Sequence, residues 1–290
     1  MSHFAVLVVG EVEHNLAPFH EFECTGTDNE FVQDVDQTEE ARAYYESYKD
    51  DPEYPTFADF IERWYGLPAV AFGEQPDLTS AKKHKYGYAQ LDEAGEIVKV
   101  IKRTNPNKKW DLYVEGGRWT GLLLTKDGKR VDSARKSEID FDTMRKEADD
   151  KRRAEYKDSG YNPSMTWRPW SEVFKDDTFA YIDQKREFYH SQPDMAAVKA
   201  NYRAAGHDDS RFEYDDFLGR TADEYVDAMS SRGINTYALV KDRQWHARGE
   251  MGWFGMSRDD IDQKSWTDQQ LEVIRGLPDE ATLTVVDCHI

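Results

Sequence analysis

The segment HFAVLVVG, residues His3 to Gly10, predicts the central strand of the fold. Its run from Phe4 to Val9 is apolar and rich in β-forming residues, and Gly10 ends it. A short continuous apolar run that stops at a glycine is typical of a strand buried on both faces. The closing segment ATLTVVDCHI, from Ala281 to Ile290, has the same character. We therefore expect both ends of the chain to lie in one central sheet, with the residues between them arranged around it.

The composition describes an acidic chain that folds. Its 290 residues include 57 acidic and 38 basic side chains, which give a net charge of −19. The aromatic content of 13% separates it from disordered acidic tails, which have few aromatic residues. A surface of this charge repels nucleic acid and anionic lipid and favours basic partners. Two interpretations stay open: the charge keeps the protein in solution, or it binds a basic surface of a nucleic-acid-handling protein.

The N-terminus and the cysteines bear on localisation. The first residues lack a basic segment followed by a long apolar run, and no window has the roughly 18–20 apolar residues of a membrane span. Cys24 and Cys288 form no C-x-x-C motif and no disulfide framework. We therefore expect a cytoplasmic protein with reduced thiols and no membrane contact.

The pattern between the two ends predicts an α+β fold. Residues 86–125 hold four β-rich runs separated by turn signals, which indicates a meander of hairpins. Residues 140–233 are helical in pattern and begin with a strongly charged segment that has few apolar anchors. Residues 234–290 return to β structure, with a hairpin, a helix and the last strand. Grouped helices between β segments favour α+β with a mixed or antiparallel central sheet over a wound parallel sheet.

This pattern predicts three parts. Residues 1–139 form an N-terminal α+β part, and residues 140–233 form a charged helical region that serves as an oligomerisation or wrapping arm. Residues 234–290 return to the N-terminal sheet. The sequence leaves open whether the charged helix at the start of the second part bridges two domains or lies along one.

One set of residues has the composition of a metal site. Its members are His20, Cys24, Cys288 and His289, with His14, Glu21 and Glu23 nearby in sequence. Zinc accepts two Cys and two His, but adjacent strand residues such as Cys288 and His289 face opposite sides, and the spacings match no common zinc pattern. We predict no metal and no cofactor. We expect the cysteines to be buried and the histidines to be hydrogen-bonded.

The sequence contains no recognisable catalytic motif. No Gly-x-Cys or Gly-x-Ser-x-Gly elbow supports a nucleophile. The glycines of residues 249–255 lack phosphate-loop order, and Glu250 would repel a phosphate, so they are interpreted as packing glycines, and Gly116 and Gly117 as turn glycines. We predict a protein that is not an enzyme. The alternative is a small-molecule or nucleotide-binding enzyme that uses a cluster formed by the two ends of the chain: His20, Glu21, Cys24, and Asp287 or His289.

Acidic clusters are the remaining candidates for a binding surface. The densest acidic cluster lies near the N-terminus and consists of Asp28, Glu30, Asp34 and Asp36. It is interpreted either as a weak divalent-metal site or as an acidic contact face, and we favour the contact face. A second acidic pair lies in the helical region, and an aromatic residue lies in the glycine loop. The predicted partner-binding residues are Asp28, Glu30, Asp34, Asp36, Asp208, Asp209 and Trp253.

Five strings carry a family resemblance. They are MSHFAVLVVG (1–10), NLAPFHEFECTG (15–26), KWDLYVEGGRWTG (109–121), GEMGWFG (249–255) and LTVVDCHI (283–290). Together they resemble a family of phage-encoded proteins that is similar to the phage inhibitors of the bacterial Gabija defence system.

The resemblance implies a non-enzymatic protein that forms homo-oligomers around a nuclease–helicase complex in the host cytoplasm and prevents DNA cleavage. It implies a protein partner, with no direct contact to nucleic acid. A phage structural or regulatory module without a defence target is the other interpretation in this class.

Overall fold

The structure, a computed structural model, describes residues 2–207, 213–252, 256–258 and 260–290. The strands are β1 (His3–Val9), β2 (Gln33–Asp36), β3 (Ala69–Val70), β4 (Gly87–Leu91), β5 (Ile97–Thr104), β6 (Leu112–Glu115), β7 (Leu123–Leu124), β8 (Arg130–Val131), β9 (Ser133–Arg135), β10 (Ala238–Lys241), β11 (Gln244–Ala247), β12 (Glu250–Met251), β13 (Ser257–Arg258) and β14 (Thr282–His289). The α-helices are α1 (Val12–Leu16), α2 (Phe22–Thr25), α3 (Thr38–Tyr45), α4 (Phe57–Arg63), α5 (Phe141–Asp158), α6 (Trp170–Phe174), α7 (Ile182–Ser191), α8 (Pro193–Ala204), α9 (Ala222–Met229) and α10 (Gln263–Arg275). Short 3-10 turns cover Ala17–Phe19, Gly117–Trp119, Lys136–Glu138 and Asp215–Phe217.

The central sheet contains both ends of the chain, as the sequence predicts. Its order is β11-β10-β1-β14-β6, and β9 also pairs with β14. Strand β1 runs parallel to β10 and antiparallel to β14, with His3 opposite His289 and Val9 opposite Leu283. The predicted α+β class with a mixed central sheet is therefore confirmed.

Both faces of β1 are covered, which explains its continuous apolar run. Because side chains alternate along a strand, Val6 and Val8 point to one face and Leu7 to the other. The first face packs against Phe4, Leu16, Phe19, Trp110, Ala238, Val240, Val286 and Cys288. The second packs against residues of α10, of the segment that follows it and of neighbouring strands: Leu239, Trp266, Ile274, Leu277, Leu283 and Val285.

A second sheet, of order β2-β5-β4-β3, carries α3 and α4 on a core that includes Ala41, Phe60, Ile61 and Val100. The hairpin of β4 and β5 confirms part of the β-rich interpretation, but the four-strand meander predicted for residues 86–125 is wrong. Strand β6 pairs with β14 in the central sheet, and β7 pairs with β8. The chain changes sheets because Trp110 packs into the central core, where its indole N–H donates to the Leu16 carbonyl at 3.0 Å.

The helical insertion predicted for about 140–233 is confirmed, and α5 to α9 occupy it. Helix α5 contributes Met144 to the core under the central sheet and Tyr156 to a second, aromatic core. That core contains Tyr156, Tyr161, Trp167, Val173, Tyr189, Met195, Val198, Tyr202, Tyr214, Phe217 and Tyr225. The charged helix therefore joins the sheet to the helical region. Within the described ranges, no helix is both long enough and apolar enough to cross a membrane.

Candidate interaction surface

The acidic cluster at residues 28–36 is largely engaged within the chain. Asp28 and Asp34 both accept hydrogen bonds from Arg103, at 2.8 and 3.0 Å. Arg103 is only 6% exposed, so the two carboxylates neutralise a cation that burial would otherwise penalise. Burial alone would lower the pKa of Arg103, but the hydrogen bonds from Arg103 to Asp28 and Asp34 outweigh it, so the pKa is raised.

The other two acids of this cluster also have partners. Asp36 accepts hydrogen bonds from the hydroxyl and the backbone N–H of Thr38, and these lower the pKa of the Asp36 carboxyl. Glu30 pairs with Arg243 at 2.9 Å, on the turn between β10 and β11. The structure thus brings Asp28 and Asp34 together on one arginine, whereas Asp36 and Glu30 lie on different partners. The predicted residues Asp208, Asp209 and Trp253 lie outside the described residues.

The histidines and cysteines of the predicted set do not converge. His20 packs against Trp110, with ring centroids 4.7 Å apart, and Cys24 is exposed while Cys288 lies in the core. No group of three or more His, Cys, Asp or Glu side chains in the described part of the chain is arranged to hold a metal ion. The expectation that both cysteines are buried is wrong for Cys24, because α2 ends beside it at the surface.

The surroundings of Cys24 make it a poor nucleophile. Partial burial, the hydrogen bond to Glu21 and nearby carboxylates raise the pKa of the Cys24 thiol to about 11. Glu21 itself pairs with Lys108, and Glu23 accepts hydrogen bonds from Thr104 at 2.8 Å and from Lys108 at 3.0 Å. A thiol with so high a pKa holds little thiolate near neutral pH. The cluster of His20, Glu21 and Cys24 therefore lacks the chemistry of an activated cysteine.

An exposed aromatic surface lies on α6, α7 and the segment between them. We define the aromatic face as Phe174, Tyr181, Ile182 and Phe188, which are 55%, 71%, 39% and 36% exposed. Phe179 packs against Phe188, with ring centroids 5.2 Å apart. Exposed aromatic side chains grouped on one surface are typical of protein-binding sites, where large rigid rings supply contact area at low entropic cost.

A partly buried polar network connects α6 and α7, which carry the aromatic face. Asp215 accepts hydrogen bonds from the Tyr189 hydroxyl and the Trp167 indole N–H, both at 2.8 Å. It also accepts from the Trp170 backbone N–H at 2.7 Å. Burial raises the pKa of the Tyr189 hydroxyl, and the hydrogen bond to Asp215 raises it further against the opposing backbone N–H of Tyr214, so the hydroxyl stays protonated and donates to Asp215. The network fixes α6 against α7, which gives the aromatic face a rigid base.

The charges around the aromatic face are of both signs with an acidic excess. Residues 170–191 contain five acidic and three basic side chains. Lys185 donates to the Phe174 carbonyl at 2.5 Å, and its ammonium lies 5.6 Å from the Phe174 ring centroid. An apolar centre inside a charged rim is the usual anatomy of an interface.

Sequence reasoning missed the aromatic face. The sequence signal for this face is the high number of aromatic residues between Trp170 and Tyr189. Two short helices cannot bury that many aromatic side chains. Which of these rings are buried depends on how α8 and the segment around Asp215 pack against them. The local sequence pattern carries no information about that packing.

No family model matches the chain, and the comparisons with curated proteins and with solved structures find no match. The resemblance to phage inhibitors of Gabija therefore stays a prediction.

Proposed function

We propose that this protein is a non-enzymatic phage anti-defence protein that binds a bacterial nuclease–helicase complex of the Gabija type and prevents DNA cleavage in the host cytoplasm. The observation that carries the proposal is the aromatic face, an exposed group of large apolar side chains on a chain with a net charge of −19. Aromatic side chains supply most of the binding energy in many interfaces, and long-range charge raises the association rate.

The negative net charge of the chain favours a partner with a basic surface. Proteins that handle DNA present positive surfaces to phosphates, and an acidic protein is attracted to the same surfaces. An inhibitor that covers such a surface competes with DNA without contacting it. The predicted homo-oligomer would strengthen weak individual contacts, because linked sites bind at a high effective concentration.

The acidic cluster is the weaker candidate for the contact itself. Reversing the charge of Asp34 would remove a partner of the buried Arg103. Lost inhibition in such a variant could then come either from weaker binding or from a destabilised fold. The aromatic face has no such complication, because Phe174 and Tyr181 expose more than half of their surface.

The test is light scattering of the protein alone and mixed with a purified Gabija complex, together with a DNA cleavage assay. We expect a discrete larger species and loss of cleavage at a fixed stoichiometry. The double variant Phe174→Ala, Tyr181→Ala should lower affinity at least tenfold, since hot-spot truncations exceed about 1.4 kcal/mol.

The matched control is Phe72→Ala, which removes an equally exposed phenylalanine, 60% accessible, from the loop between β3 and β4. It should leave binding unchanged. A wild-type protein that neither binds the complex nor prevents cleavage would refute the proposed target. Binding that survives the double variant would exclude the aromatic face as the contact surface.

A further inference from the structure

Strand β11 is the last strand on one side of the central sheet, where it pairs with β10. In an antiparallel pair, alternate residues direct their backbone groups at the partner strand. The Arg248 N–H donates to the Tyr237 carbonyl beside β10 at 3.0 Å. The backbone groups of Trp245 and Ala247 therefore point away from the sheet, and they have no hydrogen-bond partner among the residues that the structure describes.

A groove of about 740 Å³ runs along this free strand edge. Every residue of β11 contributes to its lining. Apolar surface comes from Ile261 and from Phe19 and Trp245, whose ring centroids are 5.2 Å apart. Four strand residues span about 13 Å, so the groove is matched in length to a short extended segment. A free edge beside a lined groove is the arrangement that proteins use to add a strand from a partner.

The charge of the groove is opposite to that of the whole chain. Its lining contains three cations, Lys109, Arg243 and Arg248, and one carboxylate, Glu250. Glu250 is itself paired with Arg258 at 2.6 Å. Because the chain as a whole carries a net charge of −19, this basic excess is local, and it favours an acidic occupant.

The three cations differ in how far other carboxylates of the chain engage them. Arg248 lies 4.0 Å from Asp260. Arg243 pairs at 2.9 Å with Glu30, which is 70% exposed, and an ion pair so open to solvent contributes little and leaves the guanidinium able to share a second carboxylate. Lys109 is exposed and has no ion-pair partner in the described part of the chain. Lys109 is therefore the cation most available to an incoming carboxylate.

We propose that β11 binds an extended acidic segment of another protein, which adds to the central sheet as a further strand. The segment exchanges backbone hydrogen bonds with Trp245 and Ala247, while its carboxylates contact Lys109 and its apolar side chains pack on Phe19. This inference goes beyond the proposed function and does not depend on it, because the aromatic face lies on α6, α7 and the segment between them.

A second copy of the chain is the less suitable occupant. One acidic strand, β2, lies at an edge of the second sheet. Its Asp34 accepts a hydrogen bond from Arg103 and its Asp36 accepts one from Thr38, so both carboxylates are engaged within the chain. We therefore assign the occupant to a different protein.

The test measures the binding of fluorescently labelled peptides to the full-length protein by fluorescence anisotropy. The first probe is a hexapeptide of alternating glutamate and valine with blocked ends, for which we expect a Kd below about 1 mM. A peptide of alternating lysine and valine should bind at least about tenfold more weakly. A glutamate–valine peptide methylated on every backbone nitrogen keeps the charge but loses the donors, and it should also bind at least about tenfold more weakly.

Substitutions in the protein locate the site. Lys109→Glu should weaken binding of the glutamate–valine peptide about tenfold, whereas Lys99→Glu, at an exposed lysine on β5, should leave it unchanged. Ala247→Pro removes an outward N–H without removing a hydrogen bond to β10, and it should weaken binding at least about tenfold. The double variant Phe174→Ala, Tyr181→Ala should bind the peptide like the wild type.

Each comparison has an outcome that refutes one part of the proposal. No binding of the glutamate–valine peptide by the wild type at about 1 mM would refute the site itself. Equal binding of the lysine peptide would refute the acidic occupant, and equal binding of the methylated peptide would refute strand addition, whether or not Ala247→Pro folds. Unchanged affinity in Lys109→Glu would place the peptide elsewhere. A lower mass of Ala247→Pro than of the wild type in light scattering would show that a second copy occupies the edge.

Discussion

The cores of the central sheet and of the helical region are built from different kinds of side chain. The sheet is filled mainly by aliphatic side chains on both faces of β1 and β14, whereas the helical core is built mainly from tyrosine, tryptophan and phenylalanine. Aliphatic groups need no hydrogen-bond partner, but buried tyrosine hydroxyls and indole N–H groups do. The helical region therefore depends on polar contacts such as those of Asp215. Some of its aromatic rings remain exposed at the surface. We expect from this difference that the sheet is the most stable part of the molecule, while the helical region leaves large apolar side chains exposed.

The two cysteines give the largest expected difference. Cys288 is buried in the sheet, and burial followed by the charge of Asp287 raises the pKa of its thiol, while that of Cys24 is raised to about 11. Against an ordinary value of 9.0, that shift leaves about 100-fold less Cys24 thiolate at about pH 8. In Cys24→Ser protein, labelling of Cys288 by a disulfide reagent should be slower again by about 10³-fold or more, because it requires the sheet to open.

The measurement follows the release of the reagent's coloured thiolate from the Cys24→Ser and Cys288→Ser variants. Adding denaturant should bring the two rates together. Equal rates in native buffer would show that the sheet opens easily, which would contradict its assignment as the most stable part of the molecule.

A core truncation tests the same assignment. Leu7 is fully buried between β10 and β14, so Leu7→Ala should lower the free energy of unfolding by about 3 kcal/mol. Val98→Ala is the control, because Val98 is 45% exposed on β5 and should change little. Urea denaturation followed by circular dichroism measures both. A small effect at Leu7 would place the stability of the chain elsewhere.

The sequence predicted the elements of the sheet better than the partners of the middle strands. Strands β1 and β14 were recognisable because burial on both faces leaves an uninterrupted apolar run. The runs after Trp110 look the same whichever sheet they join, so the change of sheet could not be read from the local pattern. For the same reason the pairing of His3 with Asp287 was missed, because it depends on a register between residues 284 positions apart. The sequence indicates Asp287 and His289 as candidates, but as partners of His20 and Cys24.

In the helical region, Asp215→Ala should cost about 2 kcal/mol, because it leaves the donors of Tyr189, Trp167 and Trp170 without this acceptor. Hydrogen exchange should rise in α7 and stay unchanged in β1. The control Asp183→Ala removes a surface ion pair with Arg186 and should have little effect. If β1 exchanged faster as well, the two regions would unfold together, and the sheet would not be more stable than the helical region.

A glycine pair measures how closely the Gly117 turn approaches the sheet. Gly117→Ala adds a Cβ at positive φ and against Asp287, and should cost about 2 kcal/mol. Gly95→Ala, at a φ of +83° in the β4–β5 turn, meets no atom of the described residues within 4 Å and should cost about 1 kcal/mol from backbone strain alone. The difference in unfolding free energy between the two variants isolates the contact with Asp287. Equal losses would mean that the turn can move away from the carboxylate.

The smallest expected effect is at the aromatic face. Tyr181 is 71% exposed, so Tyr181→Ala should change the free energy of unfolding by less than about 0.5 kcal/mol, even though it removes a large ring. Such a ring contributes little to the stability of the chain, which agrees with the proposed role of the aromatic face in binding another molecule. A loss above about 1 kcal/mol in urea denaturation would show that Tyr181 already packs within the chain, and the aromatic face would then belong to the core of the helical region.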